Sequence, residues 1–119
     1  MKPTDVRIAD AAFDTTDYLY RTPIKFGGVA LDRATILTAR VTVEDRAGNR
    51  AVGVGSMPLG NVWAFPSRTL GYQQTLGAMT ALAAAFRDTT ATHAGFGHPI
   101  ELGHDLEPRY LAHREPVAV

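Results

Sequence analysis

The residues able to do chemistry are few and scattered. Four histidines fall late in the chain, His93, His98, His104 and His113, with Glu101, Asp105 and Glu107 among them. Imidazoles and carboxylates together hold metal ions or move protons. A helical metal site needs its ligands three or four residues apart, and no two of these histidines have that spacing on one predicted helix. They read instead as polar loop residues and a helix cap. Ser56 and Ser67 lie outside any G-x-S-x-G elbow. The stretch VGVGSMPLG contains G-x-G, but a phosphate fingerprint needs a further glycine opening a helix, and Pro58 breaks that register. Gly27 and Gly28 follow Lys25 and Phe26, the reverse of a P-loop order, and read as turn glycines. Glu44 and Asp45 flank a predicted turn and read as solvated. With no cysteine in the chain, thiolate nucleophiles, disulfides and cysteine zinc sites are excluded. The sequence therefore holds no catalytic constellation.

What stands out instead is a pair of connectors. Arg21–Asp32 (RTPIKFGGVALD) and Met57–Ser67 (MPLGNVWAFPS) each set large apolar residues beside proline and glycine, and the second carries Trp63, the sole tryptophan. Proline and glycine predict loops there, whereas tryptophan and phenylalanine belong against a core or a partner. The elements around them follow from periodicity. Val6 to Phe13 alternates as a strand, but Phe13 is out of phase with Val6 and Ile8, which a bulge or a break into two short strands explains. Arg33 to Asp45 alternates cleanly, with Leu37, Ala39, Val41 and Val43 on one face and Thr38, Arg40, Thr42 and Glu44 on the other. Asp45 to Asn49 is turn-like, and the return strand is Arg50 to Ser56, with Val52 and Val54 expected to face the core and Gly53 and Gly55 the other side. Residues 69–88 have helical period through Tyr72, Leu76, Met79, Ala83 and Phe86, with Ser67 or Thr69 as cap. The far face of this helix is alanine, glycine and threonine, which fits a second packing partner. A second helix is expected over 105–115, capped by Asp105, with Leu106, Tyr110 and Leu111 inward.

This order predicts a single α+β domain over residues 1–119, a three-stranded antiparallel meander followed by helices on one side. Leu37, Val41 and Val43 are expected to bury against Leu76, Met79 and Phe86. Both connectors leave the same end of such a sheet, which predicts a surface that closes over a ligand or partner.

Composition narrows the partners. Lys plus Arg and Asp plus Glu are twelve each, so the basic surplus of a nucleic-acid binder is absent. No basic amphipathic stretch supports membrane-surface binding. The N-terminus has no apolar signal-peptide core, and the longest weakly polar run, Gly77 to Phe86, is far short of the roughly 20 residues of a spanning helix. A cytoplasmic location is the expectation, since a cysteine-free chain fits a reducing compartment.

The quoted residues also resemble a known family. TPIKFGGVALDRATILTARVTVEDRAG, then GVGSMPLG, then an alanine-rich helix, is similar to the N-terminal capping domain of the enolase superfamily, in its mandelate racemase and muconate lactonizing branch, from about Val6 to Phe86. The resemblance implies a catalytic barrel outside this chain, which carries the acidic ligands for Mg²⁺ and the bases that take a proton alpha to a carboxylate. It implies no catalytic residue, metal ligand or cofactor in this chain. It does imply two lid loops that shape specificity for a small carboxylate. The first matches Thr22 to Leu31 and the second Met57 to Phe65, so the candidate specificity residues are Thr22, Lys25, Phe26, Gly27, Met57, Trp63 and Phe65. Ser56 stands where many members carry glutamate after G-x-G. The expected partner is the barrel of the same parent protein or a homo-oligomer copy. The alternative reading is a free-standing α+β ligand- or protein-binding module, including a homodimer that buries the Trp63 loop against itself.

Overall fold

The computed structural model describes residues 2–26, 29–60 and 71–113. Three strands, β1 (Val6–Phe26), β2 (Val29–Asp45) and β3 (Arg50–Pro58), form an antiparallel sheet in the order β1-β2-β3. Two helices follow, α1 (Tyr72–Ala91) and α2 (Pro99–Leu111). The α+β meander is the architecture expected, and the described residues contain no barrel.

The first strand is much longer than the expected 6–13, and the loop expected over Arg21–Asp32 is strand on both sides. The reason lies in the position of β1. It is an edge strand, and Pro23 falls in a stretch without β2 partners, between the pairs Leu19↔Arg33 and Ile24↔Leu31. A proline there removes no ladder hydrogen bond. The pairing then resumes through Lys25↔Ala30 to Phe26↔Val29.

The slip near the start of β1 is a bulge. Ile8 pairs with Val43 and Asp10 with Thr42, leaving Ala9 unpaired. The extra residue brings Phe13 onto the face shared by Val6 and Ile8, opposite Ala39.

The third strand has the opposite facing to the one expected. Gly53 lies opposite Val41 and Gly55 opposite Ala39, on the helix-covered face, whereas Val52 opposes Thr42 and Val54 opposes Arg40 on the outer face. The turn decides this. Asp45 N–H donates to Asn49 C=O at 2.9 Å, and Gly48 takes a φ of +89° that suits glycine. That closure pairs Val43 with Ala51, and strict alternation sends the valines outward.

Helix α1 begins at Tyr72, where Gly71 N–H donates to the Gln74 side chain at 2.8 Å. Ser67 and Thr69, the expected caps, lie outside the described residues. Helix α2 starts six residues before the expected Asp105, because Pro99 occupies the first turn and His98 Nδ1 accepts from Ile100 N–H at 3.1 Å. Asp105 lies inside the helix.

The core is small. Ile8, Leu102 and Leu106 are buried together, with Val6, Val41 and Tyr110 packed against them. Gly97 makes a two-bond bridge with Val6, and a side chain there would meet Leu102 at 3.2 Å, so glycine fits that crossing. Met79 is the other buried apolar residue of the described chain. The radius of gyration is 17.0 Å, where a compact chain of this length has about 13.5 Å.

Candidate functional site

Pro58 pairs with Ile36, so β3 stops while β2 and β1 continue toward Val29 and Phe26. At about 3.3 Å per residue, the β1–β2 hairpin extends on the order of 20 Å beyond the end of β3. This distal arm carries exposed Tyr18, Leu19, Tyr20 and Ile24, with Leu19 81% accessible. Thr22 and Lys25 are exposed on it. Phe26 ends β1 in pairing with Val29. Met57 sits well back from the tip, opposite Leu37, and is 65% accessible. Gly27, Trp63 and Phe65 lie outside the described residues. The structure thus sets Thr22, Lys25 and Phe26 on one hairpin and Met57 on the neighbouring strand, a good part of the arm's length away.

At the root of the arm a polar chain ties sheet to helix. Thr35 Oγ1 donates to Asp17 Oδ1 at 2.6 Å, and Tyr72 OH lies 2.9 Å from the same hydroxyl. With the threonine proton given to Asp17, the tyrosine is the donor to Thr35. Thr35 is almost fully buried, and the Arg33 guanidinium stacks 4.8 Å above the Tyr72 ring. Sequence reasoning missed this chain, because Asp17 and Thr35 meet only in the register of the long hairpin, which a predicted loop conceals.

Between this tie and the packed core lies an apolar cavity of about 460 Å³. The sheet contributes Phe13, Leu37, Val41 and Met57, and α1 contributes Met79 and Phe86. Of the packing expected between Leu37, Val41 and Val43 and Leu76, Met79 and Phe86, Leu37 and Val41 line the cavity with Met79 and Phe86 but are only half-buried, and Val43 and Leu76 are not among its lining residues. Arg87 lies at the same cavity, its guanidinium 5.3 Å from the Phe13 ring and its Nε donating to Asp88 at 3.0 Å.

Glu44 and Asp45 are held by partners within the sheet and its turn. Glu44 accepts from Arg7 and from Arg50, each at 2.8 Å, and these hydrogen bonds hold its carboxyl below the usual range. Asp45 accepts from the Asn49 side chain and from the backbone of Asn49 and Ala47, which lowers it likewise. The histidines do not converge. His98 caps α2, His113 Nε2 meets Thr89 Oγ1 at 2.6 Å, and His93 is packed with Nε2 3.6 Å from Asp105. Among the described residues, no three His, Asp or Glu side chains are grouped to hold one metal ion. No helix of the described residues is long and apolar enough to cross a membrane.

No protein-family model and no curated protein matches the chain. Among solved structures, an enolase from Bradyrhizobium, crystallised with magnesium and mandelic acid, is similar with a TM-score of 0.57 and 14% identity. The likeness covers 91% of this chain and 25% of that one. The chain has the fold of part of that enolase, and the match spans about a quarter of the enolase's length.

Proposed function

We propose that this chain is the N-terminal capping and specificity domain of an enzyme of the enolase superfamily, of the mandelate racemase and muconate lactonizing type, and that it is not catalytic alone. The distal arm carries the reading. It projects past the end of β3 with exposed aromatic and aliphatic side chains, in a fold shared with a quarter of an enolase. An apolar projection of that kind needs a partner to cover it. In this reading the partner is a barrel of roughly 250 residues. Thr22, Lys25 and Phe26 on the arm and Met57 near the end of β3, together with Gly27, Trp63 and Phe65 outside the described residues, shape the entrance over its mouth in this reading. Mg²⁺ and the proton-abstracting bases belong to the barrel, which supplies enediolate stabilisation next to a substrate carboxylate. Protein and substrate meet in a reducing, cytoplasmic compartment.

Immunoblotting of the source cells with an antibody to this chain tests the reading. The expected species is roughly 250 residues longer than the chain, or co-purifies with a barrel protein of that size. That assembly exchanges the alpha proton of a 2-hydroxy acid for deuterium when Mg²⁺ is present, and the purified 119-residue chain does not. A sole 119-residue species without a barrel companion overturns the reading. It would favour a free-standing binding module, for which the apolar cavity is the specific supporting observation.

A further inference from the structure

The two edges of the sheet are built differently. The β1 edge is interrupted at Ala9 and again over residues 20–23, carries Pro23, bears Asp10, Asp14, Asp17, Arg21 and Lys25, and is bridged at Val6 by Gly97. Bulges, prolines, charges and covering loops are the devices that keep an edge strand from pairing with another chain. Among the described residues, the β3 edge has none of them between Ala51 and Met57 (AVGVGSM). Every residue of β3 is exposed, with Val52 at 57% and Val54 at 65%.

The direction of the free hydrogen-bonding groups follows from the register. Asp45 N–H bonds to Asn49 C=O and Leu59 N–H to Thr35 C=O, so the odd-numbered residues of β3 make the ladder bonds to β2. The N–H and C=O groups of Val52, Val54 and Ser56 therefore point to the open side. The sequence around Gly53 reads nearly the same in both directions, with valine on each side and then Ala51 and Gly55. An antiparallel copy turned about Gly53 sets Val52 against Val54 of the second copy, Ala51 against Gly55, and Arg50 against Ser56. Pro58, which has no N–H to give, falls beyond the paired stretch.

We propose that the free edge of β3 is the interface of a two-fold dimer of this chain, in which two three-stranded sheets join into one of six. The apolar Val52–Val54 pairs lie on the outer face of the joined sheet, and glycines on the inner face let the backbones approach. The β1 edges remain guarded, so association stops at two. A single strand pairing buries less than the standard interface of about 1,600 Å². The dimer is accordingly weak, with a Kd between about 10 μM and 1 mM.

Sedimentation equilibrium of the chain across that range tests the proposal. The expected result is a monomer–dimer equilibrium, with Val54→Lys raising the Kd at least about tenfold while the circular dichroism spectrum stays unchanged. A second variant reads the register. The two copies of Gly53 face each other in a non-hydrogen-bonded pair with Cα atoms about 4.5 Å apart, within disulfide reach. A side chain at Gly53 meets nothing nearer than Val41 O at 4.0 Å. In this cysteine-free chain, Gly53→Cys is expected to form a covalent dimer on mild oxidation at least about tenfold faster than Gly55→Cys, whose partner position is Ala51. A monomer at 1 mM, a ladder of higher species, a dimer indifferent to Val54→Lys, or equal cross-linking of the two cysteine variants overturns the proposal.

Discussion

Glu44 shows how much a side chain's partners matter beyond its position in the sequence. Its place beside a turn suggests a solvated carboxylate, yet Arg7 from β1 and Arg50 from β3 both reach it from flanking strands. Neither contact is visible until the cross-strand pairs Arg7↔Glu44 and Glu44↔Arg50 are known. The consequence is a pH dependence with a definite sign. A carboxyl whose pKa falls on folding contributes stability above its unfolded value of 4.5, and the contribution disappears as pH drops through the lower folded value. Thermal melts of the parent and of Glu44→Gln should differ at neutral pH, with the parent the more stable. The gap should close as the pH is lowered from 4.5 through the lower folded value. A gap of constant size at all pH values would mean that the glutamate acts through packing alone.

At the scale of elements, the helical period and the β2 alternation were legible because one face is packed and the other wet. The long hairpin was not, since Pro23 and the apolar run around it look like loop chemistry unless the strand is known to be an edge. The facing of β3 was also hidden: valine and glycine alternate, and burial predicts valine inside, but turn closure outranks that preference. The two helices do not pack equally well on the sheet. Leu106, from α2, is enclosed by the core around Ile8, whereas Leu37 borders the cavity beneath α1. Leu106→Ala should therefore lose about 2–5 kcal/mol, and Leu37→Ala distinctly less, because its neighbours leave it partly unpacked. Conversely, Ala83→Leu on the cavity-facing side of α1 should gain about 0.5–2 kcal/mol by filling space. Urea denaturation of the three variants checks the order; equal losses at Leu37 and Leu106 would mean that the cavity closes in solution.

For the whole molecule, the radius of gyration describes an extended body, and its described residues leave Tyr18, Leu19, Tyr20 and Ile24 of the arm exposed. The connectors that hold the candidate specificity residues stand out in the sequence as apolar residues beside proline and glycine. Their geometry does not, because it depends on how far a hairpin runs past its neighbour. The unpaired Ala9 has a consequence for how the chain tolerates change in length. A strand normally cannot lose a residue, since everything beyond the gap turns over and apolar side chains trade places with polar ones. Here the extra residue stands outside the ladder, so the segments on either side of it keep the same facing with or without it. Removing it leaves Ile8 and Asp10 adjacent, on opposite faces, and Ala11 and Phe13 still directed toward the helices. In a library of single-codon deletions spanning the whole gene and sorted for folded protein, the loss of Ala9 should survive within β1, and the loss of Ala12 should not. The bulge would then be the record of an insertion, the one place in this strand where the reading of inside and outside can absorb a change of count.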